Sequence, residues 1–298
     1  METKHKGGGM RKTFILAIGI AALIVSDAFC MNIDVMMPVL KEAKQGINET
    51  FNYIDVGLST AAKDLSTVDL KSDKARQILK ALCKDRDYLI DCAIVDTTGK
   101  MIVVEPSEYS KYEGSDISKQ AQVIQMKISQ KPVLSDVFRS VEGIEAIDFE
   151  YPIFSDKNVF LGSVSMLVKQ EALSADIVMP LVKDKPCKIW IMQKDGLVVY
   201  DPDPNQIGRN IFSDQLFKPF QDLIAFSRTV SMVKDGAGSY DFYVKGLEDK
   251  RIVKKYVVWD TVSLFGTDWR IVVMEADKPA PVAEEEVKPQ QPGTVPSL

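Results

Sequence analysis

The chain has 298 residues, 46% of them hydrophobic and 27% charged, with 37 Lys and Arg against 42 Asp and Glu for a formal charge of −5. That apolar share excludes full disorder, and polar residues interrupt every apolar stretch after position 40, which excludes a polytopic membrane protein. No stretch concentrates enough positive charge to grip a phosphate backbone, so a nucleic-acid partner is not expected.

The only histidine is His5, ahead of the first apolar run. No Ser/His/Asp or Cys/His nucleophile system and no histidine-bearing zinc site can be assembled without an imidazole in the folded part. The segment "TTGKM" lacks the spacing of a phosphate-binding loop. No catalytic residue, metal ligand or cofactor is therefore expected.

Residues 1–30 read as a targeting segment. Lys4, Lys6, Arg11 and Lys12 form a basic start, the apolar run Phe14–Val25 follows, and Ser26-Asp27-Ala28 supplies a small-x-small pattern. Cleavage after Ala28, retention as an uncleaved anchor and lipidation at Cys30 all remain open, and each exports the rest of the chain. At the other end, 277–298 carries prolines and the run Glu284, Glu285, Glu286 without an aromatic residue, and is expected to be disordered. No second hydrophobic run follows the first, so the reading is of an exported protein without a cytoplasmic output domain.

From Leu40, apolar residues recur at Ala43, Ile47, Phe51, Ile54, Leu58, Ala61 and Leu65. Steps of three and four predict one long amphipathic helix, with Pro38 in its first turn. Ser72 caps a shorter helix with Ile78, Leu79 and Leu82 on one face, so 38–85 forms a helical unit. Strands are predicted at Leu89–Val95, Met101–Val104, Pro132–Arg139, Ala146–Phe154 and Val159–Val168, with a polar helix at Ser118–Ser129. After a connector helix near Glu171–Val182 the strand pattern restarts. It gives Lys188–Met192, Leu197–Tyr200, Arg228–Val233, Ser239–Val244, Tyr256–Leu264 and Trp269–Met274.

The two strand-rich regions, 86–182 and 183–276, look alike. "IVDTTGKMIVVEPSEYSKYEGSDIS" and "IMQKDGLVVYDPDPNQIGRNIF" share the order strand, glycine turn, strand, proline loop, glycine and helix start, and turn glycines Gly99 and Gly196 lie 97 residues apart. A repeat at that spacing implies two copies of one small α+β module, each an antiparallel sheet flanked by helices. Within "KDGLVVYDPDPNQIGRNIF", the residues Asp195, Gly196, Pro202, Pro204, Gly208 and Asn210 carry a resemblance. So does the closing "GSYDFYV…KKYVVWDTVSLFGTDWRIVVM" with Trp269 on its last strand. Over about 38–276 the chain resembles the double Cache family, PAS-like extracytoplasmic sensor domains with two tandem modules on a long helix.

The resemblance implies that the first, membrane-distal module takes a small molecule and the second, 183–276, is membrane-proximal. It also implies an amino-acid motif that this sequence lacks. The motif's arginine falls on Gln120, its aromatics on Ala121, Gln122 and Val123, its tyrosine on Phe138 and its aspartate on Leu167. A ligand carboxylate would lack its guanidinium fork here.

Strand alternation instead nominates Gln122, Asp136, Phe138, Ser140, Asp148 and Ser165, with Ser163 beside them, as a neutral-to-acidic pocket for a neutral or cationic ligand. Asp136 and Asp148 also fit ordinary solvated strand positions. Asp201 and Asp203 fit a proline-stiffened turn better than a metal site, and Trp190, Trp259 and Trp269 fit the core. Cys83 and Cys92 are close enough in sequence to allow a disulfide, and Cys92 also fits a buried thiol. The expected function is an extracytoplasmic sensory protein that binds a small molecule, meets the membrane through its N-terminal segment and signals through a separate protein. An extracytoplasmic interaction or scaffold protein with no pocket is the alternative.

Overall fold

The computed structural model describes residues 27–84, 86–246 and 248–277. The targeting segment up to residue 26 and the tail from 278 lie outside these residues. Among the described residues, no helix is long and apolar enough to cross a membrane.

Helix α1 (Asp27–Leu65) carries the predicted stripe, with Leu40, Ala43, Ile47, Phe51, Ile54, Leu58 and Leu65 all buried. It begins earlier than expected. Pro38 lies inside the helix, and Met36 and Val39 continue the buried face on its N-terminal side. Helix α2 (Asp73–Leu82) starts as predicted, with the Ser72 hydroxyl accepting from the Ala75 N–H at 3.2 Å.

The first sheet contains β1 (Leu89–Asp96), β2 (Met101–Glu105), β3 (Val133–Leu134), β4 (Phe138–Arg139), β5 (Glu145–Phe154) and β6 (Phe160–Val168). Helix α3 (Ala121–Ser129) lies over it, and α4 (Gln170–Val182) connects onward. The second sheet contains β7 (Lys188–Gln193), β8 (Val198–Tyr200), β9 (Gly236–Lys245), β10 (Asp249–Leu264) and β11 (Thr267–Ala276), with α5 (Gln221–Met232) on its outer face. Strand orders are β2-β1-β6-β5-β3, with β4 also on β5, and β8-β7-β11-β10-β9. Every pairing is antiparallel. Each sheet thus places its first strand beside its last, in the same topological order.

Both sheets turn one face to α1. Cys92, Ile94, Phe149, Val164 and Met166 of the first, and Ile189, Ile191, Trp269, Ile271 and Val273 of the second, join α1 in one core. The Phe51 ring meets Phe149 at 5.5 Å and Trp269 at 5.2 Å, edge-on to each. Polar links reinforce the seam. Thr267 Oγ1 donates to the Leu134 carbonyl at 2.6 Å, and Val137 N–H donates to Gln193 Oε1 at 2.8 Å.

Two local expectations need correction, and one alternative left open is decided. Arg228–Val233 belongs mostly to α5: Leu223, Phe226 and Val230, spaced three and four apart, bury its inner face, and this outweighs the β-branched Thr229, Val230 and Val233. Pro132–Arg139 breaks into β3 and β4, with Ser135–Val137 irregular between them. Cys83 and Cys92 are separate thiols, and the Cys83 thiol donates to the Glu105 carbonyl at 3.1 Å.

Gly99 and Gly196 both occupy the left-handed region, at φ 95° and 92°. A β-carbon on Gly196 would stand 2.6 Å from the Phe212 ring. Gly196→Val should therefore lower unfolding stability by about 1–3 kcal/mol, measured by denaturant titration. An unchanged midpoint would show that the turn tolerates a side chain.

Candidate functional site

The outer face of the first sheet carries the polar residues. Cross-strand pairing sets Asp91 opposite Leu167 and Leu167 opposite Asp148, so two carboxylates flank one leucine in a row across β1, β6 and β5. The next row on this face is Ala93, Ser165 and Glu150. Paired residues point to the same side, so Asp91, Asp148, Glu150, Ser163 and Ser165 share it. A cavity of about 20 Å³ lies here, lined by Asp91, Glu142 and Asp148 with Ser140, Phe138 and Leu167. That is room for about one water molecule.

The acids are buried: Asp91 is 1% exposed, Asp148 4% and Glu150 1%. Five of the oxygens here, Asp91 Oδ2, Ser140 Oγ, Glu142 Oε1, Asp148 Oδ1 and Glu150 Oε2, are buried without a hydrogen-bond partner. Glu150 is held from one side by the Ser163 hydroxyl, which donates to Oε1 at 2.6 Å. No Lys or Arg forms an ion pair with these acids among the described residues.

Glu105, in the same sheet, makes the contrast. It is equally buried, but Arg76 reaches it at 2.8 Å and Lys80 at 3.8 Å, and Arg76 also holds Glu113 at 2.7 Å. The acids of the cavity have no such partner.

The charged forms are correspondingly disfavoured. Burial, with the Glu142 carboxyl beside it, pushes Asp91 up to about 8. Burial pushes Glu150 up to about 7, opposed by the Ser163 hydroxyl. Asp148 is driven well above the usual carboxylate range by burial and by Glu150 and Asp91, and the Gln122 side chain counters this only in part.

Of the nominated residues, Phe138, Ser140, Asp148 and Ser165 line the cavity. Gln122 is buried on α3 next to it and donates to Gln120 Oε1 at 2.9 Å, and it is Gln120 that reaches the lining. Asp136 is a correction, because it is exposed. The break between β3 and β4 shifts the alternation, so Ser135 turns inward instead, accepting the Asp148 N–H at 2.8 Å. Asp136 faces the second half, where partial burial and, less strongly, the Asp195 charge raise its pKa. Two lining acids, Asp91 and Glu142, were not nominated. Asp91 was legible as a single acid within the apolar run "LIDCAIV", whereas Glu142, in a loop, gave no signal.

The fold is that of the double Cache-like sensor domains. Residues 49–170 match the family model described as HK/GC/Chemotaxis protein-like, sensor domain. The structure is similar to an extracellular ligand binding receptor from Desulfohalobium retbaense, with TM-score 0.69 and 32% identity, covering 80% of this chain and 40% of that one. The chain therefore spans less than half the length of that receptor.

It shares its fold with the periplasmic sensory domain of the Campylobacter jejuni chemoreceptor Tlp1, at TM-score 0.58 and 15% identity over 83% of this chain and 96% of that one. The ligand-binding domain of the Pseudomonas aeruginosa amino acid chemoreceptor PctC, in complex with GABA, is also similar, at TM-score 0.54 and 12% identity over 83% of this chain and 100% of that one. No curated protein matches the chain.

The cavity dictates an unusual pH response. Asp91 ionises near 3.8 when unfolded but keeps its proton to about 8 when folded. Between those values the native state binds more protons than the unfolded one, so ligand-free stability falls as pH rises. The melting temperature should be lower at about pH 8 than at about pH 5, with the slope reduced in Asp91→Asn. A flat or rising profile would mean that these acids ionise normally.

Proposed function

We propose that this protein is an exported sensory protein that takes a small organic cation, an alkylamine or diamine, in the acidic cavity of its first module. The observation that carries the reading is the set of buried acids, Asp91, Glu142 and Asp148, that line one cavity with no Lys or Arg pairing them among the described residues. An ammonium group supplies up to three N–H donors and a positive charge to acceptor-only carboxylates. Phe138, Leu167, Met101 and Ile117 form the apolar part of the wall and suit an alkyl chain. A hard divalent ion would instead need a shell of six or more oxygens. A neutral ligand would leave Asp91 and its neighbours holding their protons, whereas a cation can take the protons' place.

A ligand larger than water requires α3 and the Ser140–Ile144 loop to move outward. The Val137 to Gln193 and Thr267 to Leu134 hydrogen bonds couple the segment under this lid to the second sheet. In this reading ligand entry in 86–182 shifts 183–276, the membrane-proximal module, and a separate signalling protein reads the shift. The N-terminal segment would hold the protein at the membrane or be removed on export, which places the sensor outside the cytoplasm.

Putrescine and butylamine should raise the melting temperature of the full chain, by the equivalent of about 2.7 kcal/mol at a hundredfold excess over Kd. Asp91→Asn with Asp148→Asn should abolish that shift without lowering the ligand-free melting temperature. A response to calcium but not to amines, or an amine response that survives both substitutions, would overturn the reading.

A further inference from the structure

The second sheet carries a cavity of similar size, about 20 Å³, on its own outer face under the Asp201–Phe220 loop and α5. Its chemistry is inverted. Lys255, on β10, is 5% exposed and lines it, with its ammonium 5.2 Å from the Phe242 ring centroid. The Lys255 ammonium has no side-chain hydrogen bond or ion pair among the described residues, although the charges of Asp201 and Asp203 act on it from further away. The nearest acid lining the cavity, Asp201, is already engaged: its Oδ1 accepts from Asp203 N–H at 2.8 Å and from Gln206 Nε2 at 3.2 Å.

Two more donors face the same space. Trp190 Nε1 is buried with no partner in hydrogen-bonding geometry, although it acts on the neighbouring Tyr240 hydroxyl. The Tyr240 hydroxyl donates only to the Met274 sulfur, at 3.3 Å, and a thioether is a weak acceptor. An ammonium, an indole N–H and a phenol O–H thus converge where acceptors are scarce. A carboxylate has two oxygens to accept from such donors and a charge to match Lys255. The rings of Trp190, Tyr240, Phe217 and Phe242 form the rest of the wall, and at this volume a short carboxylate enters only if the Asp201–Phe220 loop and α5 move outward, as the first site requires of its own lid.

We infer that the second module holds a ligand site of its own, for a short-chain monocarboxylate, with Lys255, Trp190 and Tyr240 as its donors. It is independent of the amine site and opposite to it in charge. The alternative is a lysine balanced at a distance by Asp201 and Asp203. In that case its replacement by an isosteric apolar residue would be neutral or stabilising and would change no ligand response.

Calorimetric titration of the full chain with propionate, against sodium chloride as control, separates the two. Wild type should bind propionate saturably. Lys255→Met should weaken binding at least about tenfold, the loss expected for a charge-assisted hydrogen bond. Trp190→Phe should weaken it several-fold, and Asp91→Asn should leave it unchanged. Absence of saturable propionate binding in wild type would overturn the site, as would equal binding by Lys255→Met. If Lys255→Met does not fold, Trp190→Phe decides, and an unchanged affinity there also overturns it.

Discussion

One apolar stripe on α1 has to serve two sheets. Phe51 stands where they meet, edge-on to Phe149 of one and Trp269 of the other, and the residues before and after it extend the same buried face along both. Each sheet has a whole face of Ile, Val and Met that would otherwise meet water. The helix therefore fixes how the sheets lie relative to each other. It also leaves only their outer faces free to differ, and those faces hold the two cavities.

The outer faces differ in how they treat buried charge. In the first module Asp91, Asp148 and Glu150 sit on sheet positions where apolar side chains would pack at less cost, with no cation among the described residues paired to offset their desolvation. Arg76 beside Glu105 shows that the same sheet can pair a buried acid where structure alone is at stake. The proposed organic cation would bring the positive group that these buried acids lack. The raised pKa values of Asp91 and Glu150 follow from the same burial, so a proton and the proposed cation would compete for the same oxygens.

Much of this was legible in the sequence where a periodic signal existed. The stripe from Leu40 to Leu65, the Ser72 cap and the paired turns at Gly99 and Gly196 follow from spacing and from φ requirements that few residues meet. Errors arose where local and tertiary signals disagreed. Pro38 reads as a helix start, yet Met36 and Val39 carry the buried face past it. The β-branched end of α5 imitates a strand. The site was legible in part for the same reason: alternation placed Asp148 and Ser165 on one face, but it cannot register a break such as Ser135–Val137, and that break exposes Asp136. Glu142 enters from a loop, where no period exists to read.

Competition between proton and cation offers the most direct measurement. Amine binding to the full chain can be followed by calorimetry near neutral pH in two buffers of different ionisation enthalpy. An ammonium ion that displaces the proton held by Asp91 and its neighbours should release roughly one proton per ligand bound. That release should disappear in Asp91→Asn. Binding with no buffer dependence, or with proton uptake, would contradict a cation held by those carboxylates.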